Sequence, residues 1–170
     1  MARLDTDRLI LRDRRSSEAD VYRLLWSERD PRVPAHRRID AQGRPSVADI
    51  ASRVLAEREN PGLGLLAVEV RATSAVIGYC GLVPHEGGSP DDVELAFELL
   101  QAVHGCGYAT EAGQAVIGWA REAGHQRVWA TVWEWNLASR RVLEKLGFHD
   151  SGGAVTSSVH GRSLLTVREL

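Results

Sequence analysis

Cysteine is scarce in this chain: Cys80 and Cys106 are the only two in 170 residues. They form no C-x-x-C pair, so neither a disulfide framework nor a structural zinc site is indicated and both thiols are expected to be free. The six histidines, His36, His85, His104, His125, His149 and His160, are widely spread and show no H-E-x-x-H spacing, so no metal site is expected. An excess of one charge is also missing. Lys and Arg number 21 against 23 Asp and Glu, a formal net charge of −2 with both signs scattered. Without a basic field, nucleic acid and a membrane surface are not expected as partners. No stretch approaches the roughly 18 apolar residues that a membrane helix requires. The opening Met1-Ala2-Arg3-Leu4-Asp5-Thr6-Asp7-Arg8 has no signal-type apolar core. The expectation is a cytoplasmic protein acting on a small molecule or a short peptide.

Against these absences stand ordinary globular proportions, 44% hydrophobic and 26% charged residues, enough to bury a core. Residues 4–12 read as a strand, because Leu9, Ile10 and Leu11 form an apolar run between charged flanks. Ser16 or Ser17 caps a helix from Ala19, with Glu18 and Asp20 in the first turn where negative charge suits the dipole, and Asp30-Pro31 ends it. Residues 31–45 read as a mobile connection. Residues 46–59 form a second helix with Val47, Ile50, Val54 and Leu55 on one side, broken by Asn60-Pro61-Gly62.

Strands at 65–70 and 75–82 form a hairpin around Thr73-Ser74, and another at 93–100 follows the turn-rich residues 84–90. In that third strand Val93, Leu95, Phe97 and Leu99 share a dry face, while Glu94, Ala96, Glu98 and Leu100 share a face that looks into a cleft. A helix over 108–123 buries Ala112, Ala115, Val116 and Trp119 and stops at Gly124. A strand at 127–132, a short helix ending at Gly147, and two weaker strands at 154–159 and 163–168 complete the chain. With no repeat, low-complexity tract or linker, residues 1–170 read as one domain.

The segment His104-Gly105-Cys106-Gly107-Tyr108-Ala109-Thr110-Glu111-Ala112 is of phosphate-binding type. Two glycines let the backbone curl without a Cβ clash, so successive N–H groups can point at one anion while the helix dipole adds positive charge. A dinucleotide fingerprint is excluded, because Thr110 stands where G-x-G-x-x-G needs its third glycine and the segment lies two-thirds along the chain. A P-loop is excluded because no Gly-Lys-Ser/Thr follows. What remains is strand, glycine turn, helix, strand, and then a helix opened by the polar residues of Asn136-Leu137-Ala138-Ser139 and stopped at Leu146-Gly147-Phe148.

This arrangement resembles the GNAT acetyltransferases, which bind the coenzyme A pyrophosphate on a Q/R-x-x-G-x-G/A turn. Gly105 and Gly107 match; Ala102 stands at the Gln/Arg position, with Gln101 one residue early. The opening Leu4-Asp5-Thr6-Asp7-Arg8-Leu9-Ile10-Leu11-Arg12 and the run Tyr108-Ala109-Thr110-Glu111-Ala112 are similar, more narrowly, to the ribosomal-protein N-terminal acetyltransferase (Rim-type) branch. The resemblance implies an α/β fold: a mixed, largely antiparallel sheet of about seven strands with helices on both faces. Coenzyme A would enter a splay between the fourth and fifth expected strands, 93–100 and 127–132. It also implies acetyl-CoA as cosubstrate and direct transfer of acetyl to a primary amine through a tetrahedral intermediate. The implied acceptor is a protein or peptide α-amino group. Similar scaffolds take small amines or antibiotics, or bind coenzyme A as non-catalytic sensors. A homodimer is the expected assembly.

Residue roles follow from the same resemblance. Gly105, Cys106, Gly107, Tyr108 and Ala109 would hold the pyrophosphate, and backbone N–H groups at Leu99 and Leu100 the thioester carbonyl and pantetheine. Asn136 would anchor pantetheine or simply cap its helix. Ser139 would share a proton with the departing thiolate, or bond a backbone N–H as serines at helix starts do. Glu94, and secondarily Glu98, would draw a proton from the ammonium, unless they are solvated edge charges. Cys106 as a nucleophile has no candidate base but adjacent His104. Arg140, Arg141 and Lys145 meet the ribose phosphate or form a solvated face. Trp129, Trp133 and Trp135 pack, with Trp135 able to wall an acceptor pocket.

Overall fold

The computed structural model describes residues 3–57, 64–86, 88–89, 91–152 and 156–170. Among them, nine strands make one sheet. In chain order they are β1 (Arg3–Asp5), β2 (Leu9–Asp13), β3 (Gly64–Val70), β4 (Ala75–Pro84), β5 (Val93–Leu99), β6 (Arg127–Trp133), β7 (His149–Asp150), β8 (Thr156–Ser158) and β9 (Gly161–Glu169). The order across the sheet is β1-β2-β3-β4-β5-β6-β9-β7, with β8 also on β9. Every pairing is antiparallel except that of β5 with β6. Helices α1 (Ala19–Glu28) and α2 (Val47–Glu57) cover one face, and α3 (Tyr108–Glu122) and α4 (Leu137–Lys145) the other. The α/β class, the mixed sheet and the helices on both faces are as the sequence leads one to expect.

The extra strands come from turn chemistry and tertiary pairing. Residues 4–12 do not run through as one strand, because the Thr6 hydroxyl accepts the Leu9 N–H (2.9 Å) and the Thr6 N–H returns to the Leu9 carbonyl (3.0 Å), folding the segment into the β1–β2 hairpin. The two-residue β7 exists only by pairing with β9. The cap of the first helix differs too. A 3-10 turn over Ser16–Glu18 precedes α1, and the Glu18 carboxylate, not a serine hydroxyl, takes the Arg15 N–H (3.0 Å). At α2, Ser46 and Asp49 cap each other: Asp49 accepts the Ser46 N–H (2.8 Å) and Ser46 Oγ accepts the Asp49 N–H (3.2 Å). The expected break at Asn60-Pro61-Gly62, parts of the turn at Gly87 and Pro90, and residues 154–155 lie outside the described residues.

The connection at 31–45, expected to be mobile, is tied to its surroundings. Arg29 donates to the Arg37 carbonyl (2.8 Å), Arg23 to those of Gly43 (3.2 Å) and Pro45 (3.1 Å), and His160 Nδ1 to that of Arg32 (3.1 Å). Three side chains from two other segments, α1 with its C-cap and the tail hairpin, therefore hold it.

Two cores result. Leu9, Leu11, Val68, Cys80, Val93 and Val116 belong to the larger one, between the sheet and α3 and α4. Ala19, Tyr22, Leu25, Ile50 and Val54 form the smaller one, inside α1 and α2. On α3 the buried stripe is Ala112, Gly113, Val116, Ile117 and Ala120, so Ala115 and Trp119 stand at its margins instead of inside it. The rotation follows from Gly113, whose missing side chain leaves room for Leu146 at the end of α4: a Cβ there would lie 2.6 Å from Leu146 Cδ1. Because Leu146 is 1% exposed, Leu146→Ala should lower stability by about 2–5 kcal/mol. A smaller shift of the urea midpoint, at unchanged slope, would show that α4 does not depend on this contact.

Candidate active site

The parallel pairing of β5 with β6 consists of two register pairs, Val93↔Val128 and Glu94↔Trp129, and then stops. This is the expected splay. On its other side β5 is laddered to β4 along its whole length, and just past its end the Leu100 N–H donates to the Ile77 carbonyl (2.9 Å). Backbone groups alternate sides along a strand. The N–H groups of Phe97 and Leu99 therefore face the open side, where no strand pairs with them. This corrects the expectation for Leu100, whose N–H is already committed, and adds Phe97, which the burial pattern of the dry face had hidden.

Glu94 sits at the closed end of the gap. Its Oε1 accepts the Thr131 N–H of β6 (2.9 Å), and its Oε2 meets His85 Nδ1 (3.1 Å), whose ring stacks on Trp129 at 5.0 Å. Glu94 is thus a carboxylate held in a defined position and not a solvated edge charge. Glu98 is different. Both of its oxygens are bound by Arg29 (2.7 and 2.6 Å) and one also by the Tyr79 hydroxyl (2.6 Å). Burial, reinforced by this carboxylate, pushes the Tyr79 hydroxyl well above its ordinary range. The reading of Glu98 as an amine base is corrected: it is the anchor of α1 on β5.

The glycine turn follows β5. Gly105 and Gly107 have φ of 80° and 82°, left-handed values that a side chain disfavours. Nothing lies within 4 Å of a Cβ built on Gly105, and only Arg8 Nη2, at 3.4 Å, approaches one on Gly107. Among the described residues, no protein acceptor takes the N–H groups of Gly105, Gly107, Tyr108, Ala109 or Thr110, because the first bond into α3 is from Glu111 to Gly107. The Cys106 N–H, by contrast, turns inward to the Val103 carbonyl (3.4 Å). Open space over glycines and five unpaired N–H groups at a helix N-terminus fit a pyrophosphate. His104 Nε2 is bonded to the Leu99 carbonyl (2.9 Å), so it is not available as a base for Cys106.

Arg8 and Glu111 organise this turn, and sequence reasoning missed both roles. Glu111 accepts from the Thr6 hydroxyl (2.6 Å), the Arg8 N–H (2.9 Å) and Arg8 Nε (2.7 Å), clasping the β1–β2 turn to the start of α3. Arg8 Nη1 donates to the Cys106 carbonyl (3.0 Å) and its guanidinium lies 4.7 Å above the Tyr108 ring. The loop carbonyl is thereby turned away from the side where the N–H groups point. Burial works to raise the Glu111 carboxyl, but the bonds from Thr6 and Arg8 outweigh it and hold the carboxyl below its ordinary range. The only sequence signal was the Thr6-Asp7-Arg8 turn itself; its partner lies 103 residues from Arg8.

Since β5 and β6 run parallel, the glycine turn and the start of α4 lie at the same end of the sheet. Asn136 caps α4, its Oδ1 accepting the Ser139 N–H (3.1 Å). Its amide nitrogen and the Ser139 hydroxyl make no hydrogen bond among the described residues. Arg140 is taken up by the Glu134 carbonyl (3.0 Å). Trp133 and Trp135 stack at 6.1 Å, Arg32 covers Trp135 at 4.2 Å, and Trp135 Nε1 donates to the His160 carbonyl (3.0 Å). An aromatic wall therefore joins β6, the tail hairpin and the connection at 31–45.

A family profile described as "Acetyltransferase (GNAT) domain" matches residues 8–149. The chain is 30% identical over 160 residues to the uncharacterized N-acetyltransferase p20 of Bacillus licheniformis, covering 89% of this chain and 85% of that one. For two further curated relatives that it matches, the chain spans about half of their length, 53% and 52%. Among solved structures, a putative GNAT-family acetyltransferase from Bordetella pertussis is 26% identical with a TM-score of 0.76, covering 99% of both chains. A putative ribosomal-protein-serine acetyltransferase from Vibrio cholerae shares the fold at a TM-score of 0.77 and 16% identity, covering 99% of this chain and 98% of that one.

Two outcomes are expected of the turn. Gly107→Val should weaken acetyl-CoA binding in calorimetry far more than it lowers thermal stability, because a β-branched side chain blocks approach to the backbone; unchanged affinity would remove the turn from the site. The lowered Glu111 carboxyl contributes stability that is present above its ordinary value of 4.5 and lost as pH falls through the lowered one. Glu111→Gln should therefore flatten the acid limb of the stability profile, and an acid limb as steep as that of the parent chain would show the clasp to be idle.

Proposed function

Because the chain belongs to the GNAT acetyltransferase family and is an acetyl-CoA-dependent acyltransferase, we propose that it acetylates the N-terminal α-amino group of a protein or peptide, in the manner of the ribosomal-protein branch. The observation that carries this reading is the row of unpaired N–H groups on β5, Phe97 and Leu99, leading into the glycine turn with its own unpaired N–H groups. An extended amide chain ending in a diphosphate matches that row, and a chain terminus with its own amide backbone suits the aromatic-walled face opposite. The residues 4–12 and 108–112 support the branch.

Acetyl-CoA supplies the activated acetyl thioester. In this reading the Leu99 and Phe97 N–H groups, on the side of β5 where the pairing with β6 has ended, bind the pantetheine and take up negative charge developing on the thioester oxygen. Glu94, fixed by Thr131 and His85, draws the amine into the splay and accepts its proton, directly or through a water. Ser139, with its backbone N–H satisfied by Asn136 and its hydroxyl free, gives a hydrogen bond to the departing sulfur. Asn136 retains its amide nitrogen for the pantetheine carbonyl.

Release of free thiol with a panel of peptides and small amines tests the reading, because a coenzyme A sensor would release thiol no faster than buffer. Ser139→Ala should lower kcat by roughly ten- to a thousandfold with acetyl-CoA affinity little changed. Glu94→Gln should depress the rate most near neutral pH and recover part of it under alkaline conditions, where free amine is abundant. Wild-type turnover in Ser139→Ala, with chemistry shown to be rate-limiting, would dismiss the serine; a uniform loss across pH would dismiss Glu94 as the base.

A further inference from the structure

Between α1, α2 and the connection at 31–45 lies a cavity of about 410 Å³ whose walls include Trp26, Arg38, Arg44 and Arg53. Among the described residues, nine arginines make ion pairs, Arg8, Arg12, Arg14, Arg29 and Arg127 among them. Among the described residues, none of the three that line this cavity does. Arg38 Nε is shut off from water and has no hydrogen-bond partner, which leaves a charged donor uncompensated. The two carboxylates on the same walls hydrogen-bond within their own turns, and the bonds from Ser46, with the nearby charges of Arg44 and Arg53, hold the Asp49 carboxyl below its ordinary range. Asp40 Oδ1 accepts the N–H groups of Gln42 (2.9 Å) and Arg44 (2.8 Å), and Asp49 Oδ2 accepts the Ser46 N–H and hydroxyl (2.8 Å each).

The cavity adjoins the site through Trp26. The Arg53 guanidinium lies 5.3 Å from the centre of that ring, and Arg29, 4.2 Å from it, is the residue that grips Glu98 on the Glu94 face of β5.

We propose that this cavity is an anion subsite for the acceptor: the amine substrate carries a carboxylate or phosphate that docks against Arg38, Arg44 and Arg53 while its nitrogen reaches Glu94. The proposal rests on the acetyltransfer reading above. Planar guanidiniums match oxyanions in geometry, and the three on these walls outnumber the two carboxylates, Asp40 and Asp49, so the cavity favours a ligand of negative charge. The anion is either an acidic side chain close behind a peptide N-terminus or the phosphate of a small amine. The two sources share this chemistry.

Matched acceptors separate them: peptides differing only by Glu or Gln at the second position, and serine against phosphoserine. The anionic member of one pair should have a KM about ten- to a hundredfold lower, the worth of one or two charge-assisted hydrogen bonds. Arg38→Ala, and separately Arg44→Ala and Arg53→Ala at exposed positions, should erase that preference while leaving the KM for acetyl-CoA and kcat with the neutral member unchanged. Inorganic phosphate titrated into the protein, followed by the Trp26 indole NMR signal, tests the cavity without turnover. A saturable shift that Arg38→Ala and Arg44→Ala remove supports the subsite even if every amine tested is inert, in which case it is the acetyltransfer reading that fails. Equal KM values within both pairs, or a Trp26 signal indifferent to phosphate, would overturn the proposal.

Discussion

A backbone N–H removed from water must find an acceptor, and the end of the β5–β6 ladder leaves several without one. The strands pair over two residues and then part. On the β6 side Thr131 gives its N–H to the carboxylate of Glu94, a side chain from the opposite strand standing in for the missing ladder. On the β5 side Phe97 and Leu99 receive no such substitute among the described residues. The proposed binding slot rests on this asymmetry: one wall is closed by a charge and the other presents donors in strand geometry. An extended ligand with amide carbonyls would complete the sheet there as a strand does.

The far end of the slot obeys the same rule by different means. The first turn of α3 has N–H groups that its helix cannot satisfy, and left-handed Gly105 and Gly107 keep the space over them clear. The Thr6–Arg8–Glu111 clasp ties the Cys106 carbonyl down and joins α3 to the first hairpin. Arg8 thereby brings a guanidinium next to the turn whose usual side-chain position is occupied by Ala102. On the acceptor side, three more distant elements meet through Arg32, Trp135 and His160. Their contacts convert a connection rich in arginine and proline into a wall.

Much of this was legible in residue order. Alternation from Val93 to Leu99 identified the strand and its two faces, the glycine pair marked the turn, and Asn136 marked the start of α4, because each is a local signal with a local cause. Some local readings failed where a competitor was equally local: Glu18 outbid Ser16 and Ser17 for the cap, and Thr6 folded back a segment that the apolar run Leu9-Ile10-Leu11 alone would have kept as one strand. Glu94 and Glu98 looked alike, four residues apart on one face, and nothing in their spacing separated them.

The sequence by itself determined the helices, the main strands, the glycine turn and the family, because these depend on periodicity, on φ preferences and on short motifs. Tertiary structure decided which polar groups are spent and which are left over. Arg29 and Tyr79, 69 and 19 residues away, consume Glu98, while Thr131, 37 residues away, holds Glu94 at the gap. Ile77 takes the N–H of Leu100 and leaves that of Leu99. Hydrogen bonding and ion pairing saturate over distances of a few ångströms, so whether a side chain is available for chemistry depends on neighbours that only the folded chain brings within reach.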